Sequence, residues 1–375
     1  MRIAVDARSV FQDSSVRGIG KSLVGLYRAL AVARPGWRFD LYFQDSAGRA
    51  NPFSDLSNVA PRPVSGPGDR FDAWLHVWLP LAAWRSGAAA LHCHGNTAPR
   101  FSRTPVVTTL HDLTHLAYPP PDPNLHKWVS NVRRAARSSR RILTPSEDAR
   151  ADIATRFGVP LGKIEVVRWG ATGDVTRTDD AERLAAVRQE YGLTGPYLLH
   201  FGQAMPRKNT GRVIEAWGCL TAAERGAATL LVVGVESPAE VAAFRATAAA
   251  AGVSDSSAVR GYVPEPDVAP LLAAAAGLVY VPLAEGFGLP VLDAFACDTP
   301  VLAGNRTSVP EVAGDAAVSV DPADTAAVAA GMARLLTDPA LRDRLRMAGR
   351  ARLSQFTWER CAEQVARVFE EVARR

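Results

Sequence analysis

The sequence predicts an α/β protein made of two Rossmann-like parallel-sheet domains, and three observations carry that prediction. The chain has 375 residues, room for two domains of about 100–200 residues each. Apolar runs of strand length alternate with stretches of helical periodicity, the pattern of a parallel sheet covered on both faces. The alternation then starts afresh near residue 197, so the second half repeats the architecture of the first.

Ile3 to Ala7 reads as a buried strand, followed by a glycine-bearing loop at Gly18-Ile19-Gly20 and a helix from Lys21 to Ala33 with Leu23, Leu26 and Leu30 on its apolar face. Further strands are expected at 39–43, 88–93, 106–110, 141–144 and 164–167. In the second half they fall at 197–201, 229–234, 258–262, 278–281 and 300–303, with helices through Ala216 and Ala251. The polar stretch from Ala171 to Pro196 is the natural join. The expected domains are therefore 1–175 and 176–355, with a C-terminal helix inside 356–375 that could pack back on the N-terminal domain. Its apolar face is Cys361, Val365, Val368, Phe369 and Val372. No fixed repeat of solenoid length is present.

Composition narrows the class. With 43 basic and 38 acidic side chains the formal charge is +5, too small to imply wrapped nucleic acid. It is unevenly placed, +8 over residues 1–180 and −3 over 181–375, as expected of two domains that meet different partners. Four cysteines lie far apart without a CxxC pair, so neither a structural zinc site nor a disulfide framework is indicated. Asp6 and Arg8 interrupt any secretory h-region. The longest largely apolar run, Leu271 to Ala284, contains Gly277 and Pro282 and is short of the ~20 residues needed to span a bilayer. The expected location is the cytoplasm, with the inner face of the plasma membrane as a peripheral site.

Two loops carry the chemistry. Glu285-Gly286-Phe287-Gly288-Leu289-Pro290-Val291-Leu292-Asp293 follows an apolar strand. Its glycines allow close backbone approach, and the helix start offers amides and a positive dipole end to a diphosphate. A plain strand-to-helix turn with capping acids would look similar. Gly202 to Asn209 follows the first strand of the second half, and in a chain with only four lysines, Lys208 beside Arg207 reads as a phosphate clamp. A solvated basic loop is the alternative.

These motifs, with Gly18-Ile-Gly20, His111-Asp112-Leu113, Thr144-Pro-Ser146, Ser308-Val-Pro-Glu-Val-Ala-Gly-Asp315 and Phe356-Thr-Trp358, resemble the retaining, nucleotide-sugar-dependent glycosyltransferases of the GT-B fold, the bacterial mannosyltransferase-like group 1 family. The resemblance implies two Rossmann-like domains facing across a cleft. It also implies retaining, metal-independent transfer of a hexosyl residue, mannose-like, from a nucleoside-diphosphate sugar to a glycan or lipid-linked acceptor in bacterial surface polysaccharide or lipopolysaccharide assembly. GDP-mannose is the favoured donor, with UDP- and dTDP-sugars as alternatives. No separate cofactor or nucleic-acid partner is implied, and since no Asp-x-Asp pair occurs, the cations are expected to replace a metal.

By the same resemblance Glu285, Lys208, Arg207 and His111 are the catalytic residues. Gly202, Gly286, Phe287, Gly288, Leu289, Asp293, Tyr262 and Val263 bind the donor, and Gly18, Gly20 and Asp112 serve the acceptor. Three positions depart from the family pattern. Asp293 stands where a Glu normally binds ribose, Gln203 where an Arg is common, and Val167-Arg-Trp169-Gly170 where relatives often read Pro-Asn-Gly. A nucleotide-sugar-binding protein without transfer, or a sugar-nucleotide epimerase or hydrolase, is the competing assignment. Finally, Leu125 to Arg141 holds Trp128 and five arginines, and Trp74 to Trp84 holds three tryptophans. Together they read either as a contact with an anionic membrane or as core aromatics beneath solvated arginines.

Overall fold

The computed structural model describes residues 1–11, 18–44, 50–65, 72–120, 122–173 and 175–374. The chain forms two compact units, one of Met1–Gly170 with Phe356–Arg375, the other of Ala171–Gln355. The second unit is thus inserted into the first. No helix among the described residues is long and apolar enough to cross a membrane.

The first unit is built on a seven-stranded sheet: β1 (Arg2–Asp6), β2 (Arg38–Phe43), β3 (Val59–Pro63), β4 (Ala90–Cys93), β5 (Val106–Thr109), β6 (Arg141–Thr144) and β7 (Ile164–Val166). All pairings are parallel, in the order β3-β2-β1-β4-β5-β6-β7. Ile3, Val5, Leu91, Val107, Ile142 and Leu143 are fully buried, as the apolar runs require of a sheet covered on both faces. Gly18, Ile19 and Gly20 belong to the first turn of a helix, Gly18–Ala33, rather than to the expected loop. The last helix, Trp358–Ala373, packs against it. Gly25 and Gly170 make this possible, because a Cβ on either would overlap the Trp358 indole.

The second unit has six parallel strands: β8 (Tyr197–Phe201), β9 (Thr229–Val233), β10 (Ser257–Val259), β11 (Gly277–Tyr280), β12 (Val301–Gly304) and β13 (Ala317–Val320). Their order is β10-β9-β8-β11-β12-β13, so the strand order reverses at β8. In such sheets ligands bind beyond the carboxyl ends of the strands at the reversal. The loops after β8 and β11, the two predicted to carry chemistry, both leave from that point.

Candidate active site

The loop after β8 is held from both sides. Gly202 leaves no room for a side chain, since a Cβ would lie 2.7 Å from Val232 Cγ1. The Gln203 amide donates to Thr210 Oγ1 at 3.1 Å, and the Thr210 hydroxyl donates back to the Gln203 carbonyl at 3.0 Å. A single 3₁₀ turn, Pro206–Lys208, then sets Arg207 and Lys208 side by side. Asn209 ends that turn in the left-handed region (φ 63°) and opens the helix Thr210–Cys219. Its buried amide donates to the carbonyls of Val281 (3.0 Å) and Pro322 (2.7 Å). The amide of Leu283 donates to the Arg207 carbonyl at 2.7 Å, so the two loops are joined through their backbones.

That joint brings Glu285 to the cations. Its Oε2 accepts from Lys208 Nζ at 2.6 Å, Arg207 Nη1 at 3.3 Å and the Tyr280 hydroxyl at 2.8 Å. Oε1 accepts from the Gly286 amide at 3.2 Å. Burial alone would raise this carboxyl, but the charges of Lys208 and Arg207 and the bonds from Lys208 and Tyr280 outweigh it and hold the pKa at about 2. Glu285 is therefore ionised at neutral pH. One negative and two positive groups leave the cluster with a surplus positive charge, in a site where water screens little.

Glu285 is positioned in turn by its neighbours. Its amide donates to Thr307 Oγ1 (3.0 Å), and the buried Ser308 hydroxyl bonds the Glu285 and Phe287 carbonyls. Gly288 adopts φ 115° and opens the helix Leu289–Ala296, without a side-chain cap on its first turn. The Phe287 side chain lies in the core, so only its backbone faces the loop chemistry.

The remaining residues expected at the donor are placed by their own neighbours. Asp293 accepts from the Thr172 amide at 3.0 Å and the Thr172 hydroxyl at 3.2 Å, so it ties down the start of the second unit. The expected strand 258–262 ends at Val259. Tyr262 is consequently an exposed loop residue, and Val263 beside it is buried.

In the first unit His111 follows β5 and is buried. Its amide donates to Asn96 Oδ1 at 2.7 Å, and Nε2 donates to the His94 carbonyl. That bond puts the ring proton on Nε2. The hydroxyl proton of Ser22 goes to the Ile19 carbonyl, so Ser22 Oγ accepts from His94 Nε2 at 2.9 Å. Both rings thus present an unprotonated Nδ1, and both Nδ1 atoms are buried without a hydrogen-bond partner among the described residues. The rings are edge to face at 4.8 Å, and Trp169 covers His111 at 5.0 Å. Burial lowers the pKa of His92, His94 and His111, to about 3 for His92. Asp112 caps a turn, accepting from the Thr114 amide and hydroxyl at 2.9 and 2.6 Å. Gly18 and Gly20 lie inside a helix, as described above. Among the described residues no group of three His, Cys, Asp or Glu side chains is placed to hold a metal ion.

The tryptophans divide. Trp74 is buried, and Trp128 packs inward against His115 at 5.1 Å. For these two the structure favours the alternative of core aromatics; Trp84, by contrast, is about half exposed. Sequence reasoning missed Tyr280 and Thr172. Tyr280 sits in an apolar strand and reads as core, and nothing local links Thr172 to a partner 121 positions away.

Residues 182–352 match the model of "Glycosyl transferases group 1" and residues 16–171 that of "Glycosyltransferase Family 4". The chain is 32% identical over 268 residues to the O-antigen chain mannosyltransferase B of Escherichia coli, covering 70% of this chain and 69% of that protein. The chain belongs to the group 1 glycosyltransferases. This glycosyltransferase is also 30% identical over 265 residues to the MMP alpha-(1->4)-mannosyltransferase of Mycolicibacterium hassiacum, covering 68% of this chain and 60% of that protein. Its fold matches Alr3699/HepE from Anabaena, solved with UDP and glucose, with a TM-score of 0.75 at 16% identity over 99% of this chain and 100% of that one. It is a GT-B glycosyltransferase.

Proposed function

We propose that this enzyme transfers a mannose-like hexosyl residue from a nucleoside-diphosphate sugar to a growing surface glycan or lipid-linked acceptor, with retention of configuration and without a metal ion. The observation that carries this reading is the convergence of Lys208 and Arg207 on Glu285 beside the Gly288 helix start. A diphosphate leaving group accumulates negative charge as the glycosidic bond breaks. Fixed cations and backbone amides aimed at that charge stabilise the transition state without reorganising. The surplus positive charge of the cluster suits an anion, and the leaving phosphate itself can take the acceptor proton.

Mannose is supported by the two relatives named above, both mannosyltransferases by name. The O-antigen relative supports a polysaccharide or lipopolysaccharide setting. GDP-mannose is accordingly the first donor to test, with UDP- and dTDP-sugars beside it. In a thermal-shift panel the true donor at 100 times its dissociation constant stabilises the fold by about 2.7 kcal/mol. Transfer assays then show nucleotide release that depends on acceptor and persists in EDTA, and an α-linked product from an α-linked donor. Acceptor-independent release, loss in EDTA, or an inverted product each overturns the corresponding part of this reading.

A further inference from the structure

Among the described residues five other than glycine have a positive φ, and four of them, Asp72, Asn96, Asn209 and Asp298, are of the types that tolerate the left-handed region. The fifth is Thr307, at φ 54°. A β-branched side chain there crowds its own backbone, and such strain persists only where the surroundings impose it. They do so from two sides. After Gly304 ends β12, the Asn305 amide donates to the Val320 carbonyl at 2.9 Å and Arg306 pairs with Asp321 at 2.9 Å, so the loop is stitched to the end of β13. On the other side Thr307 Oγ1 accepts from the Glu285 amide at 3.0 Å, and the buried Ser308 hydroxyl donates to the Glu285 carbonyl at 2.7 Å. The two peptide groups that flank the Glu285 Cα are therefore both fixed. From that Cα the carboxylate reaches Lys208, Arg207 and Tyr280. Glycine would suit the backbone at position 307 better; what threonine adds is the hydroxyl on the Glu285 amide.

We propose that Thr307 is a positioning residue for the transfer reaction, kept in a strained conformation because its hydroxyl fixes the direction in which the Glu285 side chain leaves the backbone. The inference rests on the reading of Glu285 and its two cations as the group that stabilises the leaving diphosphate. Thr307 acts through Glu285 and touches neither substrate itself. A carboxylate free to swing draws Lys208 with it, and cations displaced from their preset places no longer match the charge that builds on the leaving group. The left-handed threonine is thus a local instability retained for activity.

The test measures kcat, donor KM and melting temperature for Thr307→Gly, Thr307→Val and Thr307→Ser in the full chain, with the nucleotide sugar selected by the thermal-shift panel. Thr307→Gly removes strain and hydroxyl together: kcat falls by about tenfold or more, donor KM stays within about threefold, and the melting temperature does not fall. Thr307→Val keeps the branched shape without the hydroxyl and loses kcat to a similar extent. Thr307→Ser keeps the hydroxyl and holds kcat within about threefold of wild type. A wild-type kcat in Thr307→Val overturns the proposal, whatever the fate of the glycine variant. So does a serine variant as slow as the glycine one, or a glycine variant with a lower melting temperature, which would make the contact merely structural. Lys208→Ala and Glu285→Gln are measured alongside. Near wild-type transfer by those two sinks the reading of the site itself, whereas their loss of activity with Thr307→Val unaffected removes Thr307 alone.

Discussion

At the scale of single residues the structure separates groups that hold charge from groups that hold shape. Lys208→Ala removes the shorter of the two cation contacts to Glu285, and turnover is expected to fall by about 10²–10³ with the melting temperature little changed. Glu285→Gln keeps the shape but frees two cations; the same large loss of turnover is expected, and near wild-type transfer by both variants would sink the assignment. Asp293 gives the opposite pattern. Because it is bonded to Thr172, Asp293→Ala is expected to cost about 1–3 kcal/mol of stability, seen as a lower melting temperature of the second unit. If Asp293 instead bound ribose, the donor KM would rise while stability stayed constant. The buried histidines make stability depend on pH. Their folded pKa lies below the unfolded value near 6.5, so the unfolded chain binds more protons below that pH. Stability is therefore full above pH 6.5 and falls as pH drops toward about 3, by up to about 1.4 kcal/mol per unit for each neutral histidine. Glu285, depressed to about 2, adds its own loss only below about 4.5. His92→Asn should flatten the pH 6.5–4.5 part of a melting curve series; an unchanged slope would show that His92 is not held neutral.

At the scale of elements, the strands with unbroken apolar runs were legible in the sequence, and 141–144 and 197–201 coincide with β6 and β8. β3 and β13 were not, because each is an edge strand with only one buried residue, whereas the edge strands at 164–166 and 257–259 are preceded or followed by further apolar residues that extend the run. Val59–Pro63 carries two prolines and is exposed at its end, and Ala317–Val320 has one fully buried residue in four. Strands like these bury too little to show a buried run, and proline is tolerated only at an edge. The site was legible where a residue type is scarce or a spacing recurs, as with Lys208 and Glu285. It was not where the partner is distant in sequence, as with Thr172, or where the hydroxyl of a core tyrosine does the work, as with Tyr280. Nothing in the sequence marks the role of Asn209, whose amide bridges two loops from a left-handed backbone. Asn209→Ala leaves two buried carbonyls without a donor and is expected to cost about 2–3 kcal/mol. Since it also loosens the turn bearing Lys208, donor affinity should fall with stability, and a drop in neither would show the bridge to be dispensable.

At the scale of the whole molecule, charge turned out to be a local property. The excess of +8 in residues 1–180 includes residues 84–105, which carry Arg85, Arg100 and Arg103 and no Asp or Glu, and the second unit, though acidic overall, concentrates two cations on one carboxylate. The tie between chain ends is the other large-scale feature. Trp358 fills the space over Gly25 and Gly170, and Arg34 pairs with Glu363 at 2.8 Å. Trp358→Ala is expected to lower the stability of the first unit by about 2–4 kcal/mol and to leave nucleotide-induced stabilisation of the second unit in place. Differential proteolysis of the two units reads this directly.

That insertion also sets an order of events during synthesis. Residues 1–170 leave the ribosome with all seven strands of their sheet but without the helix that packs on the Gly18–Ala33 helix and sets Phe369 against His92. The 185 residues of the second unit, 171–355, come next, taking about 10–40 s at 5–20 residues per second. The second unit can finish folding in that interval, while the first waits with an apolar face open until the helix Trp358–Ala373 arrives. A nascent chain of this enzyme is therefore most in need of a chaperone in the unit whose sheet is made first.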